Sequence, residues 1–186
     1  MGIPTALREA RLRRGLTRQQ LGGRVGYHPN MIGMIEAGER RLAPDVARAT
    51  ARLLNHPRLY TELMLDATGG VGPRWFDGEG VDRHRMSRRS GAIVEMAEAI
   101  AALEKARALV DESSADRLSD LGRRELDSIM DEVPDAIDEL WNLLGEYCEQ
   151  YGRDFGEAWL QRDRELEAKR FIKQPGREVE RHARAA

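Results

Sequence analysis

The chain has 186 residues, 33% of them charged, with a formal net charge of −2 and a single cysteine. That length holds one domain or two small ones, the lone cysteine excludes an internal disulfide, and no apolar run is long enough to span a bilayer. The near-neutral total conceals a division: residues 1–60 carry eleven arginines against four acids (+7), and the remainder 19 bases against 28 acids (−9).

A basic half joined to an acidic half suits a polyanionic partner for the first and solubility or self-contact for the second. The alternative is chance clustering on solvated faces. The N-terminus "MGIPTALREARLRRGLT" lacks the continuous apolar core of a secretory signal and reads as an amphipathic helix, so the cytoplasm is the expected location.

Helical periodicity dominates. Ala6, Leu7, Ala10 and Leu12 mark a first helix closed by Gly15. In "LTRQQLGGRVG", Thr17 is a good N-cap and Gln20 follows at capping-box spacing, with Leu21 and Val25 turned inward. His28 precedes Pro29, a residue favoured at the first helical position. Ile32, Ile35 and Met31 continue that third helix until Gly38 stops it. A fourth begins at Asp45 with Val46, Ala49, Ala51, Leu53 and Leu54; Pro57 interrupts, and "RLYTELMLDAT" forms a fifth.

Residues 67–91 are glycine-rich and read as a linker. Trp75 and Phe76 are too apolar for a floppy tether and are expected to dock on a neighbouring domain. "RHRMSRR" reads as a solvated hinge or a phosphate contact. From Ala92 the helical pattern returns. One stripe runs through Ile93, Met96, Ala97, Ile100 and Leu103. A second runs from Leu126 through Ile129, Met130, Val133, Ile137, Leu140, Trp141, Leu144 and Tyr147 to Cys148, which is expected to be a buried thiol; Pro134 should kink or divide it. Asp154 caps a third helix carrying Phe155, Trp159, Leu166 and Phe171. No sustained period-two alternation predicts a strand, and residues 174–186 read as a frayed polar tail.

With the first four helices in view, "ALREARLRRGLTRQQLGGRVGYHPNMIGMIEAGERRLAPDVARATARLL" resembles the XRE family, the Cro- and phage-repressor-type helix-turn-helix domains. The shared landmarks are "GLT" before helix two, Leu21, Gly26 at the turn, Ile32 and Ile35, and the "IEAGERR" exit. The resemblance implies an all-α, five-helix lambda-repressor-like DNA-binding domain over residues 1–66, with helix three in the major groove and helix two across the backbone. A Gly-rich linker over 67–91 would join it to a C-terminal helical module over 92–173.

The resemblance also nominates contacts. Arg18 stands where the family usually has Gln, and would strengthen a phosphate contact; Gln19 follows it on helix two. The turn reads Gly26-Tyr27-His28 where the family often has Gly-Val-Ser. Asn30 is the candidate base reader, since its amide can pair with the adenine edge. Met34 would lie against thymine methyl groups. Three positions keep two readings each: His28 caps the helix or donates to a base or phosphate, Met31 is core or contact, and Gly33 allows close backbone approach or simply weakens the helix. With so few polar groups on helix three, phosphate contacts by Arg18, Arg40 and Arg41 would carry most of the affinity.

Residues 92–173 support two readings. As an oligomerisation and regulatory module they would pair two heads on paired half-sites, with Trp141 and Trp159 as interface anchors or core. As an enzyme, "EMAE" (95–98) and "EVPD" (132–135) loosely resemble the MazG-like nucleotide pyrophosphohydrolases, whose carboxylates on facing helices hold Mg²⁺. Pro134 interrupts the second of those motifs, and that family's tail Lys and Asn are not matched. The four histidines are scattered, and no Gly-rich phosphate loop follows a strand. The expected protein is therefore a transcriptional regulator acting as a dimer on double-stranded DNA by occupying an operator, with no cofactor, bound metal or catalysis.

Overall fold

The computed structural model describes residues 2–82, 84–107 and 117–172. Among them it contains eight helices and no strand: α1 (Ile3–Arg13), α2 (Arg18–Val25), α3 (Pro29–Glu36), α4 (Pro44–Leu54), α5 (Pro57–Thr68), α6 (Arg85–Ala106), α7 (Asp120–Gln150) and α8 (Phe155–Ala168). Local chemistry sets most of these bounds. Proline occupies the opening positions of α1, α3, α4 and α5, where its fixed φ suits a helix and its missing N–H costs nothing. The Thr17 hydroxyl accepts from the Gln20 N–H at 3.1 Å and the Gln20 side chain accepts from the Thr17 N–H at 2.8 Å, the expected reciprocal cap. None of the described helices is long and apolar enough to cross a membrane.

The first five helices close a core of their own. Ala6, Leu7 and Ala10 of α1 meet Leu21, Ile32, Ile35, Leu54 and Leu59, all essentially without solvent contact. Leu12, expected on the inner stripe of α1, is instead 57% exposed. The inward position four residues after Leu7 belongs to Arg11, which is buried and neutralised by Glu36.

The stretch after α5 does dock through its aromatic pair, and it is strapped to α7. Asn142 is fully buried; its side-chain oxygen accepts from the Phe76 N–H at 2.8 Å and its amide donates to the carbonyls of Arg74 (2.6 Å) and Asp138 (2.7 Å). Trp75 lies over Gly145, where a Cβ would stand 2.6 Å from its ring and 2.8 Å from Pro57. Helix α6 begins at Arg85, inside the stretch read as linker, because His84 caps it and Arg88 is held by Glu139, Glu146 and the face of Phe76. Of the expected "RHRMSRR" hinge, residues 85–89 thus start a helix behind the His84 cap, and Arg83 lies outside the described residues.

Helices α6 and α7 run antiparallel, tied by Arg88 to Glu139 at one end and Lys105 to Glu125 at the other. Helix α7 continues for 31 residues through Pro134, which does not divide it. The Asp154 carboxylate caps α8 by accepting the Glu157 N–H at 2.7 Å. Trp141 then packs between Phe155 and Trp159, with ring centroids 5.2 Å away in each case, and donates its indole N–H to Thr61 of α5 at 2.8 Å. Cys148 is buried, and burial raises its thiol pKa. The expected frayed tail, 174–186, lies outside the described residues.

His56 sits in the seam between the two halves, buried, with Nε2 3.1 Å from Glu149 and 3.9 Å from Glu9. Burial and the neighbouring Arg13 push its pKa down from 6.5 to about 4, against the pull of Glu9. The native ring is therefore neutral, and between about pH 6.5 and about 4 the unfolded chain takes up a proton that the native chain refuses. Stability should fall as pH drops through that window. Urea unfolding at about pH 7 and about pH 5.5 should differ by about 1 kcal/mol from this group. An unchanged difference in His56→Gln would assign the effect elsewhere.

Candidate nucleic-acid interface

The pair α2 and α3 is held at close range by glycine. Tyr27 donates its backbone N–H to the Gly22 carbonyl at 2.8 Å, and its own carbonyl lies where a side chain on residue 22 would be. Gly26 supplies the left-handed turn residue, with φ of 77°. His28 then caps α3: its Nδ1 accepts the Asn30 N–H at 3.3 Å. Because Ile32 and Ile35 point into the core, Asn30, Gly33 and Met34 fall on one outward face, three and four residues apart.

A charge triad fixes Arg18 on that face. The Glu36 side chain is 1% exposed; it accepts from Arg11 Nε at 2.6 Å and Nη2 at 3.0 Å, and from Arg18 Nε at 2.8 Å. Arg11 also donates to the Leu16 carbonyl at 2.8 Å. Burial alone would raise the Glu36 pKa, but the hydrogen bonds and charges of Arg11 and Arg18 outweigh it, and the carboxyl is held below its ordinary value. Arg18 stays half-exposed, and its Nη1 lies 3.6 Å from the position of a Cβ on Gly33. The guanidinium is thus carried across from α2 onto the outward face of α3.

The candidate residues separate into groups. Arg18, Asn30, Gly33 and Met34 come together, with Gln19 exposed on α2 beside Arg18. Met31 packs against the core. His28 Nδ1 is committed to its cap. Arg40 and Arg41 lie beyond α3, where they border a cleft shared with Glu62 and Asp66 of α5. Glu36 and Gly22 were not among the candidates. Glu36 is 25 residues from Arg11, a pairing that helical periodicity does not reveal.

The acidic half has two features of its own. Carboxylate oxygens of Glu95, Glu98 and Glu132 lie within 4.8 Å of one another across α6 and α7. Burial, and then the charges of Glu98, Asp135, Glu139 and Glu132, raise the Glu95 pKa. Separately, Ile93, Met96, Ile100 and Leu103 of α6 and Met130, Ile137, Leu140 and Leu144 of α7 are exposed. On an antiparallel pair both stripes fall on the same side, a quarter-turn from the faces that pack together.

Residues 5–62 match a family model described as a helix-turn-helix domain, which covers most of α1, then α2 to α4 and the first half of α5. No curated protein and no solved structure matches the chain.

Proposed function

We propose, from the premise that residues 5–62 are a helix-turn-helix domain, that this chain is a transcriptional regulator of the XRE type. It binds duplex DNA in the cytoplasm with α3 in the major groove and acts as a repressor by occupying an operator. The observation that carries this reading is the shared outward face of α2 and α3, where Arg18 and Asn30 stand exposed on the half of the chain with charge +7. Selection of bound sequences from random duplex DNA is the direct test; enrichment of no motif would remove the sequence-specific part.

Two substitutions divide the labour on that face. Arg18→Ala should weaken binding to all duplexes alike, because a phosphate contact carries no sequence information. The salt slope should fall by about one unit. An unchanged slope and affinity would take Arg18 out of the interface. Asn30→Ala should relax discrimination at one base pair, by about 1–3 kcal/mol. A loss that is equal for every sequence would make Asn30 a positioning residue.

The protein acts as a homodimer in this reading, with the exposed stripes of α6 and α7 paired against a second copy. Sedimentation of the full chain tests it, and a monomer at micromolar concentration would count against it.

A second reading is favoured by the carboxylate cluster. With α7 unbroken at Pro134, Glu132 faces Glu95 and Glu98 across the helix pair, with Asp135 near enough to affect Glu95. Such a set of hard oxygen donors fits Mg²⁺, which would orient a pyrophosphate for attack by water. This is the chemistry of a MazG-like nucleotide pyrophosphohydrolase. Mg²⁺-dependent release of pyrophosphate from nucleoside triphosphates, abolished in Glu98→Gln, would establish it; no release would leave the acids as a solvated helix face.

A further inference from the structure

The seam between the helix-turn-helix head and the C-terminal helices contains a groove of about 610 Å³, within the range of small-molecule sites. One wall is α4 and α5, with Leu63 and Met64; the other is α7 and α8, with Trp141, Phe155 and Trp159. The Trp141 N–H is already donated to Thr61, so the ring presents only its hydrocarbon surface to the groove. Two exposed cations, Arg48 and Arg52, stand one helical turn apart on the α4 rim. Neither makes an ion pair or a side-chain hydrogen bond among the described residues, although ten other Arg, His and Lys side chains do pair with acids. Asp66 is the acid on the opposite rim.

We propose that this groove binds a small amphipathic organic anion, its carboxylate between Arg48 and Arg52 and its apolar body against Trp141, Phe155 and Trp159. Charge selects the ligand's sign. Two unpaired guanidiniums favour a carboxylate head over a neutral one, and the aromatic walls take a hydrocarbon tail. A ligand here touches both the head and the C-terminal helices. The inference stands on the geometry of the seam and holds whichever reading of the head or of the acidic cluster is right.

The test uses the full chain, with sodium octanoate and 1-octanol as probes and tryptophan fluorescence as readout, since Trp141 and Trp159 line the groove. Octanoate should give a saturable change at one site per chain and bind more tightly than octanol. The double variant Arg48→Gln/Arg52→Gln, both exposed positions, should weaken octanoate about tenfold and leave octanol unchanged. Ala47→Phe, which fills the groove, should remove both responses while the circular dichroism spectrum stays that of the parent. An unsaturable response would overturn the proposal, as expected if a second copy or another segment covers the groove. Equal binding of the two probes, insensitive to the arginine substitutions, would also overturn it by reducing the site to an unselective apolar surface.

Discussion

Glu36→Gln is expected to destabilise the protein by about 3–5 kcal/mol, because it removes the charge that neutralises a buried Arg11. Glutamine preserves the volume, so the loss reports charge and not a cavity. Its amide can accept from one guanidinium, and its NH₂ group must then face the other. The pH dependence identifies the cause. The native Glu36 pKa is depressed, so its contribution is complete above the ordinary value of 4.5 and is lost as pH falls toward the lowered native value. The gap between parent and variant should therefore close in acid. Chemical denaturation near neutrality checks the magnitude; a difference below about 1 kcal/mol would mean that Arg11 is adequately satisfied by the Leu16 carbonyl alone. DNA affinity should fall as well, since Arg18 loses the acceptor that carries it onto α3.

Gly22→Ala is expected to have a comparable effect by a different route. The added Cβ would overlap the Tyr27 carbonyl oxygen and lie 3.3 Å from the Tyr27 carbon and 3.5 Å from the His28 carbon. Backbone, unlike a flexible side chain, cannot step aside without moving α3. The cost should reach about 3 kcal/mol, and DNA binding should fail because the angle between α2 and α3 changes. Gly23→Ala is the matched control. Nothing lies within 4 Å of a Cβ there, so the change should be neutral or stabilising by up to about 1 kcal/mol. Equal melting temperatures for the two variants would show that the close approach at Gly22 is not required.

The residues that were legible in the sequence are those whose signals are local. Thr17 and Gln20 cap within one turn, Pro29 opens a helix at its own position, and Ile32 and Ile35 declare their inward face by spacing. Local signals failed where a distant partner reversed them. Arg11 outcompetes Leu12 for the interior only because Glu36 arrives from α3. The glycine-rich stretch after α5 looks like a tether until Asn142, 66 residues beyond Phe76, supplies its hydrogen bonds. Pro134 suggests a break, yet α7 continues because each flank has its own inward-facing residues: Gly122 and Glu125 before it, Ala136, Asn142 and Gly145 after it. On the outward face of α2 and α3, Asn30 and Arg18 are nominated by the family resemblance, which does not reveal that Arg18 reaches across to Gly33.

Asn142 also has a thermodynamic meaning. Two of its three hydrogen bonds join the strap at Arg74 and Phe76 to the body of α7, and the same helix reaches α5 through Trp141 and Thr61. Melting the C-terminal helices would strip the strap of its partners and uncover Pro57, Tyr60 and Thr61 on α5. Although the head has a core of its own, it is expected to melt together with α7 in one cooperative transition, which calorimetry of the full chain would show as a single peak. Any molecule that tightens or loosens α7 is then felt as a change in the rigidity of the head.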